Sequence, residues 1–117
     1  MILTRRQQGS HAEAQAAAFI ERHGLSVHQY NWHCRYGEID IIAKDGNSWV
    51  FVEVRMRRDA HSAIASIGPR KRQRLLHTAL AFLQTQADYS SHSSWRYDVV
   101  VVTPRGITHI PHALEMS

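Results

Sequence analysis

The chain has 117 residues, 44% of them hydrophobic, with one cysteine and a formal charge of +4 at pH 7. That length suits one domain and is short for two separate cores. No apolar run approaches the ~20 residues of a membrane helix, one cysteine excludes an internal disulfide, and the polar opening lacks the apolar stretch of a signal peptide, so the cytoplasm is the expected compartment and no membrane contact is expected.

Residues 1–10 read as a flexible, mildly basic arm, which leaves residues 11–117 as the single domain. Ser10 and Glu13 have capping-box spacing, and a helix is expected from there to about His23. Ala12, Ala16, Phe19 and Ile20 form its apolar stripe, and Gly24 is its stop. Glu13 borders that stripe, either as a cap partner or as an acid with a chemical role. Leu25 to Cys34 reads as a weakly alternating first strand. His23, His28, His33 and Cys34 fall close together, at spacings that match no zinc pattern.

The most informative stretch is Gly37 to Arg55, GEIDIIAKDGNSWVFVEVR. It reads as two apolar strands joined by a tight turn, the Asp45-Gly46 step being a hairpin signal. Asp40 and Glu53 interrupt runs that otherwise belong in a core, where an ionised carboxylate is costly unless paired or metal-bound. A two-residue turn at Asp45-Gly46 sets Asp40 opposite Phe51. A four-residue turn, Asp45 to Ser48, pairs Lys44 with Trp49 and sets Asp40 against Glu53. Because side chains alternate faces, either turn puts Asp40, Glu53 and Arg55 on one face and Val50, Val52 and Val54 on the other.

Met56 to Gly68 has no clear period and reads as a loop. Pro69 then opens a helix to about Gln86, with Leu75, Leu76, Ala79, Leu80, Phe82 and Leu83 on its buried face. Its first turns hold Arg70, Lys71, Arg72 and Arg74, against a helix dipole that favours acids there. A bound phosphate resolves that conflict; a salt-screened, solvated turn is the alternative. From Arg55 to Arg74 seven basic residues stand against one acid. Arg57, Arg58, Arg70, Lys71, Arg72 and Arg74 are therefore expected to contact nucleic acid. Asp88 to Ser94 is a polar loop, Trp95 to Thr103 a nearly continuous apolar strand, and Ile107 to Ile110 a last short strand.

The order helix, three strands, helix, two strands predicts an α/β domain with a central mixed sheet flanked by helices. Asp40, Glu53 and the carbonyl of Val54 offer hard oxygen ligands for magnesium or manganese. Phosphodiester hydrolysis then needs an activated water and a cation to meet the growing charge. Arg55 suits the second task; it stays protonated and is a poor general base. Glu38 is expected to pair with Arg35 or Arg57, and Asp98 with a neighbouring arginine or at the sheet edge.

Glu13, Gly37-Glu38-Ile39-Asp40, Phe51-Val52-Glu53-Val54-Arg55, Lys71 and Arg96-Tyr97-Asp98-Val99-Val100 together resemble the YraN family of uncharacterised bacterial proteins, from about Ser10 to Leu114. That family is similar to the restriction-endonuclease-like superfamily, which includes archaeal Holliday-junction resolvases. The resemblance implies that superfamily's core fold. It lays the PD-(D/E)xK motif on Asp40 and Glu53-Val54-Arg55, with Glu13 as the accessory helix acid. The implied activity is metal-dependent, endonuclease-like hydrolysis of DNA, with Glu13, Asp40, Glu53, Arg55 and Lys71 as the catalytic set. The chain departs from the motif at Arg55, which replaces its lysine; Lys71 could substitute from the second helix. Two other readings stay open: a non-catalytic nucleic-acid-binding protein that keeps the fold, and an interaction protein whose strand edge pairs in a homodimer.

Overall fold

The computed structural model describes residues 4–90 and 92–115. The elements are α1 (Arg5–Arg22), β1 (Ser26–Cys34), β2 (Gly37–Asp45), β3 (Ser48–Met56), α2 (Ala60–Ala65), α3 (Pro69–Gln84), β4 (Trp95–Thr103) and β5 (Gly106–Leu114). The strands form one sheet in the order β1-β2-β3-β4-β5. Only β3 and β4 run parallel; the other neighbours are antiparallel, so the sheet is mixed, as expected. The parallel pair is joined through α2 and α3, which is the crossover such a pair requires.

A helical layer covers each face. On one, Ala16, Ala17 and Ile20 of α1 pack on Ile41, Ala43, Val50, Val52 and Val100. On the other, Leu75, Leu76, Ala79, Phe82 and Leu83 of α3 pack on Ile39, Ile42, Phe51 and Tyr97. Phe82 is the hub of that second layer: the rings of Trp32, Trp49 and Phe51 all meet it edge-on, with centroids 5.4, 5.1 and 5.8 Å away. Edge-to-face rings of this kind add about 0.5–1.5 kcal/mol per pair beyond their buried area.

The expected β2–β3 pairing of Lys44 with Trp49 is present, and Asp45 pairs with Ser48 beyond it. The turn is therefore Gly46-Asn47, neither the Asp45-Gly46 turn nor a four-residue loop. Gly46 takes φ 60° at the first turn position while Asn47 stays at negative φ, the pattern of a type II′ turn.

Four other expectations need correction. The first helix does not start at Ser10. Residues 5–10 of the expected arm are helical, because Thr4 and Gln7 form a reciprocal capping box at 3.2 and 2.9 Å. Residues 1–3 of that arm lie outside the described residues. Ser10 and Glu13 are inside α1, so Glu13 has no capping role. Second, the expected loop after Met56 contains α2, whose N-cap Asp59 accepts from the Ser62 amide at 2.7 Å. Third, β5 continues past Ile110 to Leu114. Pro111 is tolerated because β5 is an edge strand, and His112, at φ 53°, carries the irregularity. Fourth, Glu38 pairs with neither Arg35 nor Arg57; these guanidiniums donate to the Tyr36 hydroxyl and the Met56 carbonyl. The expected pairing of Asp98 is present, and it is wider than one arginine. Its fully buried carboxylate accepts from Arg96 Nε, meets His109 Nε2 at 2.7 Å and accepts from the His112 amide, tying β5 to β4.

The start of α1 can be tested directly. Thr4→Ala is expected to destabilise the protein by about 1 kcal/mol through loss of the cap, measured by urea denaturation, with Ser10→Ala close to neutral.

Candidate functional site

The site begins where β2 and β3 come apart. Their paired residues end at Ile41 and Val52. Continuing that register by one residue places Asp40 across from Glu53. Side-chain alternation in β2 breaks at the same point. Ile42 faces α3 and Ile41 faces α1, yet Ile39 faces α3 again. The ladder is replaced there by a side chain: the Val54 amide donates to Asp40 Oδ2 at 2.8 Å. Asp40 thus holds the strands together at the point where their backbones no longer pair.

A cavity of about 240 Å³ opens at this gap, lined by Tyr36, Gly37, Glu38, Asp40, Glu53, Lys71, Arg74, Leu75 and Thr78. Glu53 is 5% exposed. Its Oε2 lies 3.2 Å from Arg55 Nη2 and 3.4 Å from Lys71 Nζ. The strand alternation and the first turns of α3 therefore converge on one carboxylate: Arg55 shares its face, and Lys71 points inward from the helix.

Both cations within ion-pair distance lie on Glu53, which leaves Asp40 without one. Burial raises the Asp40 carboxyl from 3.8 to about 8; the charge of Glu53 adds to this, as does a hydrogen bond to its carboxyl, while the Val54 amide opposes it. Near neutral pH Asp40 therefore keeps its proton. The Arg55 contact is electrostatic without hydrogen-bond alignment: its Nε and Nη2 are buried and find no acceptor. Among the described residues, the buried side-chain polar atoms lacking a partner are these two and the Tyr97 hydroxyl. Tyr97 lies beside Phe51 in the β3–β4 register, on the face that carries Glu53. Burial and the charges of Glu53 and Asp40 push its phenol well up. Buried donors are normally satisfied; here the exceptions gather around one acid.

Glu13 reaches the cluster from α1 indirectly. With its amide nitrogen turned toward the acids, Asn31 donates to Glu13 Oε1 at 2.8 Å and Glu38 Oε1 at 3.0 Å. Asn31 stands at φ 52° in β1, a left-handed conformation that Asn tolerates better than most residues. Partial burial raises the Glu13 carboxyl, and the charges of Glu38 and Glu53 raise it further; the Asn31 bond lowers it. Glu13 borders a separate hollow, with Ser10 and Tyr30, and does not line the Asp40–Glu53 cavity.

Of the basic residues singled out in the sequence, Lys71 and Arg74 line the cavity, and Arg55 lies against Glu53. Arg57, Arg58, Arg70 and Arg72 are exposed and do not line it. Val54 joins the site through its amide. Asn31 had no assigned role from the sequence, and Tyr97 entered it only within the Arg96-Tyr97-Asp98-Val99-Val100 run. Asn within a strand was a usable signal for left-handed backbone; nothing local marks Tyr97. Among the described residues no three His, Cys, Asp or Glu side chains gather as a ready-made cage for a metal ion. Asp40 and Glu53 are a two-carboxylate set.

The chain belongs to the uncharacterised protein family UPF0102, whose model matches residues 12–102. It is 43% identical over 106 residues to a UPF0102 protein of Chloroflexus aurantiacus, covering 91% of this chain and 87% of that one. It is also 43% identical over 113 residues to a UPF0102 protein of Serratia proteamaculans, covering 95% and 97%. All the residues of the cavity fall inside the matched span.

The proton on Asp40 has a measurable consequence. Between pH of about 4 and about 8 the folded chain keeps a proton that the unfolded chain has released. The contribution to stability is therefore full below about 4 and falls as pH rises toward 8. The metal-free protein is expected to lose up to about 1.4 kcal/mol per pH unit across that window from this group. Asp40→Asn is expected to remove that component, read as the difference between two urea-denaturation series at increasing pH.

Proposed function

We propose that this protein binds nucleic acid and acts on DNA as a metal-dependent, endonuclease-like phosphodiester hydrolase with a restriction-endonuclease-like core. The observation that carries this reading is that Asp40 and Glu53 face each other at a gap in the sheet, in the wall of an open cavity. Two adjacent carboxylates in such a place are better satisfied by a divalent cation than by a proton. Magnesium is commonly held by one or two carboxylates, with water completing its shell, so the two-acid set fits it, and manganese likewise. The Val54 carbonyl is a reasonable third ligand: the N–H and C=O of a strand residue leave on the same side, and its N–H already faces the gap.

When bound, the cation supplies an activated water and a Lewis acid at the phosphate. The chain's own residues supply the rest. Asp40 and Glu53 hold the ion. Arg55, held against Glu53, contributes a fixed positive charge toward the charge that builds on the phosphate. Lys71, half-exposed at the cavity wall, offers a compact charge to the same phosphate or to the attacking water. Glu13 acts at a distance, through Asn31 and the charge it adds. Arg70, Arg72 and Arg74, with Arg57 and Arg58, bind the backbone on either side.

One observation favours binding without cleavage. Glu53 already has two cations on a single oxygen, and one of them, Arg55, cannot release a proton. One experiment separates the readings. Junction, flap and linear DNA are incubated with magnesium or manganese. Cleavage that falls to background in Asp40→Ala and persists or rises in Arg55→Lys is the expected result. Metal-independent binding with no cleavage of any substrate, in the parent and in Arg55→Lys, supports the non-catalytic reading.

A further inference from the structure

A second basic hollow lies at the far end of the parallel strands. It is a groove of about 390 Å³ between the start of α2 and the β4–β5 turn, with Arg58, Asp59, Thr103, Arg105 and Thr108 in its walls. Arg105 stands outside the basic run from Arg55 to Arg74, in the turn between β4 and β5.

Both walls are fixed to β4. The Arg57 amide donates to the Val102 carbonyl at 3.3 Å, which continues the β3–β4 contact one residue beyond Met56 and aims the next residue, Arg58. Opposite, Thr103 pairs with Gly106 across the two-residue turn Pro104-Arg105. The Thr103 hydroxyl locks that turn, accepting from the Arg105 amide at 3.1 Å and donating to the Gly106 carbonyl at 3.0 Å. Gly106, at φ 135°, takes a backbone conformation that other residues rarely adopt. Pro104 removes further freedom from the turn.

The charges in the groove do not cancel. Asp59 is the one acid in its wall, and its carboxylate is committed to capping α2. Arg105 is exposed, and its guanidinium has no ion-pair or hydrogen-bond partner among the described residues. Two guanidiniums from separate elements, with Thr108 on the β4–β5 side, make a receptor for an oxyanion that bridges them.

Position says which oxyanion. Glu53 and Arg58 are five residues apart on a nearly extended path, roughly 16 Å at about 3.3 Å per residue. A nucleic-acid strand in a duplex carries one phosphate per roughly 3.4 Å of axis. A duplex engaged at Glu53 with its axis along β3 brings a phosphate to the groove about five base pairs away. We propose that the Arg58–Arg105 groove is a second backbone-binding site, gripping a phosphodiester strand about five base pairs from the acid pair. This rests on the nucleic-acid reading above and extends it to a residue and a footprint.

The test uses the full chain and a fluorescein-labelled 16-base-pair duplex, in EDTA so that no metal chemistry intervenes. Anisotropy titrations across a range of sodium chloride give the slope of log Kd against log salt. Arg58→Ala/Arg105→Ala removes both donors to the one bridged phosphate, so it is expected to flatten that slope by about 0.9 and to weaken binding about tenfold. Arg5→Ala/Arg22→Ala, which removes the same charge from α1, is expected to keep the parent slope. Thermal melting checks that both double variants are folded. A parent that binds with a clear slope while the groove variant keeps it overturns the groove and leaves the nucleic-acid reading standing. A groove that serves only a free phosphate gives that same result. A parent slope near zero overturns both.

Discussion

Two carboxylates facing each other across adjacent strands, one buried and one largely so, cannot both stay ionised at neutral pH without help. Most of what is unusual in this fold follows from that. The sheet gives up a ladder contact so that Asp40 can take the Val54 amide. Arg55 and Lys71 are drawn onto one oxygen of Glu53 from a strand and a helix. A proton is retained on Asp40 far above its ordinary range. A chain selected for stability alone has simpler options, since buried ion clusters are often no better than the apolar packing that could replace them.

The surroundings are arranged to keep that tension in place. Above and below the gap the core is conventional: aromatic rings around Phe82 on one face, and alanines and valines under α1 on the other. The rigid layers leave the polar groups between them little room to rearrange. Arg55 and Tyr97 therefore keep buried donors without acceptors, each a deficit of about 1–3 kcal/mol. Unpaired donors and an acid held neutral by its surroundings thus stand side by side at one gap in the sheet.

Much of this was legible from residue order. Valine and isoleucine runs broken by Asp40 and Glu53 showed that something had to justify those acids, and alternation put Arg55 on their face. Helices on both faces followed from strands grouped on either side of a helix. Where the reading failed, the decisive contact lay outside the pattern being read. Thr4 with Gln7 is as sound a cap as Ser10 with Glu13, and only the formed helix chooses between them. The six-residue α2 is too short to display a period. The Gly46-Asn47 turn was hidden by the stronger-looking Asp45-Gly46 step. Asn31 and Tyr97 reach the acids only through the sheet's register, which no local window contains.

The outer strands carry one more consequence. β1 changes register between Val27 and Gln29 and then turns left-handed at Asn31; β5 meets Pro111 and turns left-handed at His112. Neither rim offers an uninterrupted row of amides and carbonyls to another molecule. Lateral growth by strand addition, the route by which open sheets clump, is obstructed on both flanks. The kink that delivers the Asn31 amide to two acids is thus also a guard on its own rim, so straightening β1 to improve its pairing would both unhitch α1 from the acids and leave the protein more prone to stick to itself.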